Sequence, residues 1–296
     1  MPNEFEITSP DVPVPEEELE DSFATYCGPV RGKRDSLNVY HPKPGIPEPD
    51  GFLHLTCGIL NTEQLLARAH ALGVTVNTYL IAVLLWCGLE HQKEHIRHQK
   101  LIKPVRAQIP INLRRLYPSV TMRNFVAVAN IEIDARLGEY TFEEVVKLVH
   151  HQVALQINPK YMQTVFTSNV KDEQNPFIRW IPLSLKTLVM RIVFDRVGEA
   201  VTSFSISNLG NIRLPEEMKP YVERIEFILG APLSAPANIS VTSWKGRTFI
   251  NFTRNSIEAD FERRFLTFLV KDGLHVYVES NQRPDHTGEP KSHQAT

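Results

Sequence analysis

The sequence predicts an α/β sandwich: a mixed, largely antiparallel sheet covered by helices. Helical patterning dominates from Asn61 to about His91, whereas four strand-like runs crowd between 201 and 254. That order lacks the regular β–α alternation a doubly wound parallel sheet requires. The runs 237–244 and 247–254 are separated only by Lys245-Gly246, a two-residue hairpin that makes its strands antiparallel.

A chain of 296 residues can bury a sizeable core as one large domain or two small ones. Lys plus Arg total 32 against 34 for Asp plus Glu, so no net field draws the chain to nucleic acid or an anionic membrane. Cys27, Cys57 and Cys87 form no CxxC pair and leave an odd count. This argues against a disulfide framework or zinc ribbon and for reduced thiols, so a cytoplasmic location is expected. The first residues lack the basic flank and apolar core of a secretory signal, and charge interrupts the apolar helices, so no membrane span is expected.

Residues 1–50 read as an extended lead-in containing one short acidic helix, Glu16 to Tyr26. Five prolines (Pro29, Pro42, Pro44, Pro47 and Pro49) make its second half a long loop wrapping a surface. The compact part, 51–282, opens on a strand from Phe52 to Leu60, and Asn61 caps a helix that Gly73 stops. Thr75 or Asn77 starts a second helix, apolar on nearly all sides and therefore buried. Alternating apolar residues place strands at 104–113 and 124–134. Thr141 and Glu144 form a capping box opening a helix to about Ile157. A long apolar helix studded with arginines spans 176–198, kinked at Pro182. Strands follow at 201–207, 223–230, 237–244 and 247–254, then a helix from Glu258 to Asp272 and the strand LHVYVES. Residues 283–296 read as a disordered tail.

Several constellations carry possible chemistry. His91-Gln92-Lys93-Glu94-His95 has the HxxEH spacing of an inverted zincin, but it falls in the polar last turns of a helix, where cations favour the dipole and solvent. No metal site is expected. His150-His151 lies in mid-helix with Leu155, not Asp, four residues after His151. His275 and Glu279 sit about 13 Å apart along a strand, too far for a hydrogen bond. Phosphate loops, GxGxxG and GxSxG elbows are missing, so kinase, Rossmann and hydrolase readings lack support.

The run Phe204-Ser205-Ile206-Ser207-Asn208-Leu209-Gly210 is a strand ending in a polar turn. Together with VTVNTYLIAVLLWCGLEHQ, KPVRAQIPINLRRLYPSVTMRNFVAVANIEID, GEYTFEEVVKLVHHQ, RIEFILGAP, INFTRN and FERRFLTFLVKDGLHVYVESN, it resembles the second lobe of the CoA-dependent acyltransferases. These include alcohol acetyltransferases and peptide-synthetase condensation domains and share the chloramphenicol acetyltransferase fold. The resemblance covers about Glu17 to Gln282; its pieces are individually weak, and their order makes it specific.

The resemblance implies two lobes enclosing a channel, with a general-base histidine of an HHxxxDG motif in the first. No histidine here has Asp four residues on. The expectation is therefore a carboxyl-terminal lobe whose partner is a missing first lobe or another chain, inactive or nearly so alone. Ser207 and Asn208 are the candidate oxyanion-side residues, with a plain turn at Asn208 and Gly210 the bland alternative. Asn112, Arg114, Arg123 and Asn124 are candidate channel contacts, with a structural clamp on the Pro118 loop as their alternative. Acyl-CoA is the expected co-substrate and a small molecule the acceptor; no bound cofactor is expected. The competing reading is a non-catalytic scaffold of the same fold.

Overall fold

The computed structural model describes residues 12–32, 38–43, 45–174, 201–232 and 235–283, with Pro182 and Thr187 in isolation. The helix expected over 176–198, the first residues of the lead-in and the tail beyond Arg283 lie outside the described residues.

In chain order the elements are α1 (Ser22–Thr25), β1 (His54–Asn61), α2 (Thr62–Ala71), α3 (Val76–His95), β2 (Val105–Asn112), β3 (Val126–Ile133), α4 (Phe142–Gln156) and α5 (Pro159–Glu173). Then come β4 (Phe204–Asn211), β5 (Asn238–Trp244), β6 (Arg247–Arg254), α6 (Asp260–Lys271) and β7 (Val276–Ser280). The seven strands form one sheet in the order β3-β2-β4-β5-β6-β1-β7. β2–β4 and β4–β5 are parallel and the other four pairings antiparallel, the mixed, largely antiparallel sheet that the sequence predicts.

Local chemistry sets these boundaries. Asn61 accepts from the amides of Glu63 and Gln64, Thr75 accepts from Thr78 N, and Thr141 and Glu144 close the capping box reciprocally. Lys245 (φ 47°) and Gly246 (φ 75°) make the hairpin turn between β5 and β6.

One face of the sheet carries the main core. Val105, Ala107, Ile131, Phe204, Ile239, Ile250 and Phe252 meet the buried stretch Tyr79–Leu85 of α3, Val145 and Val149 of α4 and Phe265 of α6. Each such Val, Leu, Ile or Phe side chain contributes about 1.5–3 kcal/mol. Gly88 lets α3 lie close to the sheet, since a Cβ there would stand 2.5 Å from Phe204 Cε2 and 2.7 Å from Val105 Cγ1. Two smaller clusters complete the packing, the second of them on the opposite face. Leu113, Tyr117, Phe125, Met162 and Phe166 pack with Phe23 and Tyr26 of the lead-in, and Cys57, Trp244 and Phe249 pack with Ile212, Val222 and Ile225.

Three expectations change. The acidic helix Glu16–Tyr26 is broken into a 3-10 turn (Glu16–Leu19) and α1, because its carbonyls are drawn outward. Glu18 O accepts from Met122 N, and Glu20 O accepts from the Thr121 hydroxyl at 2.6 Å. The segment 223–230 is extended but joins no ladder. It lies across the second face of the sheet, where Ser240 and Asn251 donate to Phe227 O, Thr242 to Ile225 O and Thr253 to Gly230 O. Finally α5 is a helix that the periodicity did not announce; Asn158 caps it by accepting from Tyr161 N, and Pro159 stands at its first position.

Candidate functional site at the end of β4

The end of β4 is separated from β2 by one residue. Arg106 donates its amide to Ser203 Oγ (3.0 Å) and accepts from Ser203 N (2.9 Å), so its backbone groups face β4. By strand alternation Gln108 and Pro110 face the same way. Pro110 has no amide to donate, and the β2–β4 ladder stops at the pair Gln108↔Ser205. Beyond it β4 keeps only β5 as a partner.

On that side the strand is irregular. The β4–β5 register shifts between Asn208 and Gly210, leaving Leu209 as the extra, exposed residue of a bulge. Gly210 has φ 75°, a left-handed conformation that suits glycine. Asn208 Oδ1 accepts from Gly210 N at 2.8 Å, which fixes the carboxamide and leaves its NH2 to donate to Asn77 Oδ1 at 3.4 Å. Asn77 stands in the first turn of α3, so Asn208 faces the helical layer.

Ser207 points to the opposite face, in register with Ser240 of β5. Its side chain is half-buried, and among the described residues nothing hydrogen-bonds its hydroxyl. The two candidate oxyanion residues are thus adjacent in the chain but on different faces: Ser207 carries an uncommitted donor, and Asn208 holds the bulge.

The other candidates do not converge on this point. Asn112 accepts from Arg114 N, while the Arg114 guanidinium donates to Thr121 O (2.9 and 2.6 Å) and Arg123 O (2.5 Å), clamping the loop around Pro118. Arg123 itself is exposed. Asn124 lines a separate cavity of about 590 Å³ with Asp21, Phe23, Val126, Asn169 and Glu173.

The histidines are committed elsewhere. His91 Nδ1 shares a 2.8 Å hydrogen bond with the Tyr40 hydroxyl, and Glu94 is gripped by both terminal nitrogens of Arg264. Burial, with the nearby charges of His95 and Arg264, lowers His91 to about 4. Among the described residues no group of three or more His, Cys, Asp or Glu is placed to hold a metal ion. His150 and His151 are exposed on α4. His54 pairs with Glu48 at 2.5 Å, but both side chains are buried. His54 also lies at the wrong end of the sheet: it registers with Arg254, whose neighbour Thr253 registers with Asn238 and thence with Ser205 near the start of β4. Cys57 and Cys87 are buried, and desolvation pushes each thiol up to about 12, so neither is a nucleophile.

Two residues at this strand end do not stand out in the sequence as site residues: Pro110, and Asn77, which reads there only as a possible start of α3. A signal existed for Pro110, because a proline inside an alternating run marks an edge or the end of a ladder.

No family model matches this chain, and no curated protein matches it. Solved structures do. The trichothecene 15-O-acetyltransferase of Fusarium sporotrichioides superposes with a TM-score of 0.52 at 14% identity, over 79% of this chain and 48% of that one. Polyketide synthase associated protein 5 from Mycobacterium tuberculosis is matched at 0.46 and 13% identity, over 84% and 57%. The epimerization domain from the third module of tyrocidine synthetase B is matched at 0.47 and 12%, over 87% and 56%. The likeness to the acetyltransferase shows the fold alone: this chain shares the α/β architecture of the matched part of that enzyme. It spans about half the length of these three chains. Among the described residues no single helix is long and apolar enough to cross a membrane.

Proposed function

We propose that this chain is the second lobe of an acyltransferase that moves an acyl group from a CoA or carrier thioester to an alcohol or amine. Acyl-CoA is then a co-substrate, a small molecule is the acceptor, and a cytoplasmic location follows from the reduced thiols. The observation that carries the reading is the open end of β4, where a half-buried hydroxyl without an internal partner sits beside a bulge, in a chain with an acetyltransferase's fold.

Attack on a thioester carbonyl puts negative charge on its oxygen before the thiolate leaves, and a donor held at that oxygen lowers the barrier. Ser207 is suited to donate. Asn208 is a positioning residue: with Oδ1 tied to Gly210 N, it sets the path of the strand that carries Ser207. The proton of the acceptor must go to a base, and no histidine of this lobe is placed for it. His91 is 14 helical residues from Asn77, about 21 Å, and His54 is buried at the other end of the sheet. The base therefore comes from a first lobe, fused or separate.

The test measures CoA release from acetyl-CoA over a panel of alcohols and amines, with the chain alone and with a separately expressed first lobe bearing HHxxxDG. Silence alone and turnover in the mixture are expected. Ser207→Ala should then lower kcat by about 10²–10³ without moving the unfolding midpoint. Turnover by the chain alone at an ordinary enzymatic rate, about 1 s⁻¹ or more, would overturn the reading. Silence of the mixture would favour a non-catalytic scaffold of the same fold.

A further inference from the structure

The outer edge of β7 is built to pair with itself. We propose that this chain forms a two-fold dimer by antiparallel pairing of β7 with β7 of a second copy, centred on Tyr277.

The edge is open. β7 is the last strand of the sheet, and among the described residues nothing pairs with its far side. As far as Arg283 the departing chain does not cover it either. Asn281 turns inward, accepting from Leu55 N and donating to Leu53 O, while Arg283 pairs with Asp50 and its guanidinium carbon lies 3.8 Å over the Phe52 ring. Tyr277 and Val278 remain exposed at 65% and 47%.

The parity is right. Asn281 N donates to Leu55 O, so Asn281, Glu279 and Tyr277 direct their backbone groups to β1. Val276, Val278 and Ser280 direct theirs outward. A two-fold axis at Tyr277 sets Val276 opposite Val278 of the second copy, a hydrogen-bonded pair in both directions. The two Tyr277 residues then form the central non-hydrogen-bonded pair, in which side chains come closest.

The sequence is complementary about that centre. In His275-Val276-Tyr277-Val278-Glu279 the valines mirror one another, and His275 falls opposite Glu279 of the second copy, twice. Glu279 already accepts from Arg224 NH1 through Oε2, which leaves its other oxygen for the incoming imidazole. Centring the axis on Val278 instead would set Tyr277 against Glu279 and Val276 against Ser280. On the helical face, an apolar groove of about 380 Å³ between α6 and β7, walled by Leu266, Val270, Val276 and Val278, would adjoin its two-fold mate. A five-residue strand supports a modest contact, with a dissociation constant on the order of 10–100 µM.

Sedimentation of the full chain from about 5 to 300 µM tests this: the mass should climb from 33.8 kDa toward twice that value. His275→Glu, which sets like charges opposite twice, should weaken association about 10-fold or more, whereas His275→Lys should preserve or tighten it. Both changes are at an exposed position, so folding is retained. In a Cys27→Ser background, Tyr277→Cys should cross-link to a disulfide dimer under mild oxidation, since it meets its own copy at the axis. A chain that stays monomeric at the highest concentration overturns the proposal. So does a dimer that responds alike to Glu and Lys at 275 or does not cross-link through Tyr277→Cys.

Discussion

At the β3 edge of the sheet the outward backbone groups of Asn130 and Glu132 are occupied by side chains, while at the β7 edge no described residue covers those of Val276, Val278 and Ser280. Gln156 accepts from Asn130 N (3.2 Å) and donates to Asn130 O (2.8 Å); Gln152 does the same to Glu132 (3.0 and 2.7 Å). Each glutamine amide mimics the peptide group of an additional strand. The match is geometric: four residues of α4 rise about 6.0 Å, and two residues of β3 about 6.8 Å. Among the described residues β7 has no such cover, although α6 runs beside it. An edge is a liability unless it is blocked or used, and the contrast is the reason to read β7 as used.

The ends of the sheet also differ in what anchors them. Toward β3 it is aromatic packing: Phe23 meets Phe125 edge-on at 5.1 Å and Phe166 at 5.7 Å. Toward β7 it is buried charge. Arg254 contacts Glu262 at 2.9 Å, with both side chains almost wholly inaccessible, and also donates to the carbonyls of Ile257 and Glu258 and to Gln282. Burial pushes Glu262 up and Arg254 down from their ordinary ranges. Glu262→Ala, which strands the guanidinium, should cost about 3–5 kcal/mol by urea denaturation. A loss under about 1 kcal/mol would mean that the carbonyls alone hold Arg254 and that the β7 end is not charge-anchored.

A smaller effect tests the capped edge. Gln152→Ala with Gln156→Ala should cost about 1 kcal/mol per side chain and expose β3, so that light scattering grows with concentration in a way Tyr277 variants do not relieve. If the double variant associates no more than wild type, the glutamines are incidental to edge protection.

How far the sequence exposes these features follows from their range. Asn61, Thr75, the Thr141–Glu144 box and the Lys245-Gly246 turn act over two or three residues and were readable, as was the mixed sheet they imply. The segment 223–230 was misread because alternating Ile225 and Phe227 look alike whether the backbone binds another strand or receives hydroxyls from Ser240 and Thr242 below. α5 escaped because its signal, Asn158-Pro159, precedes a mostly polar run. At the site, FSISNLG marked the strand end and alternation sets Ser207 and Asn208 on opposite faces, but which of them meets the helices depends on Phe204 packing against Gly88 of α3. For Arg114 the sequence offers a structural clamp on the Pro118 loop beside a channel contact, but not the carbonyls seven and nine residues away that the guanidinium grips.

The smallest effect separates stability from association. His91 lies away from both edges, between Tyr40 of the lead-in and the charged groups Glu94, His95, Asp260 and Arg264. Its folded-state value of about 4 lies below the ordinary histidine value near 6.5. An unfolded chain therefore takes up this proton as pH falls through about 6.5, while the folded chain resists until about 4. Its contribution is intact above that window and is lost on descending through it. The ring is half-exposed, so the loss should be only about 1 kcal/mol. His91→Gln keeps a partner for the Tyr40 hydroxyl and does not titrate, so urea midpoints between pH 7 and pH 4.5 should fall less steeply by that amount. Its sedimentation profile at pH 7 should match wild type. If His91→Gln changes association instead, the contact between copies reaches the far end of α3, and pairing through β7 alone does not describe it.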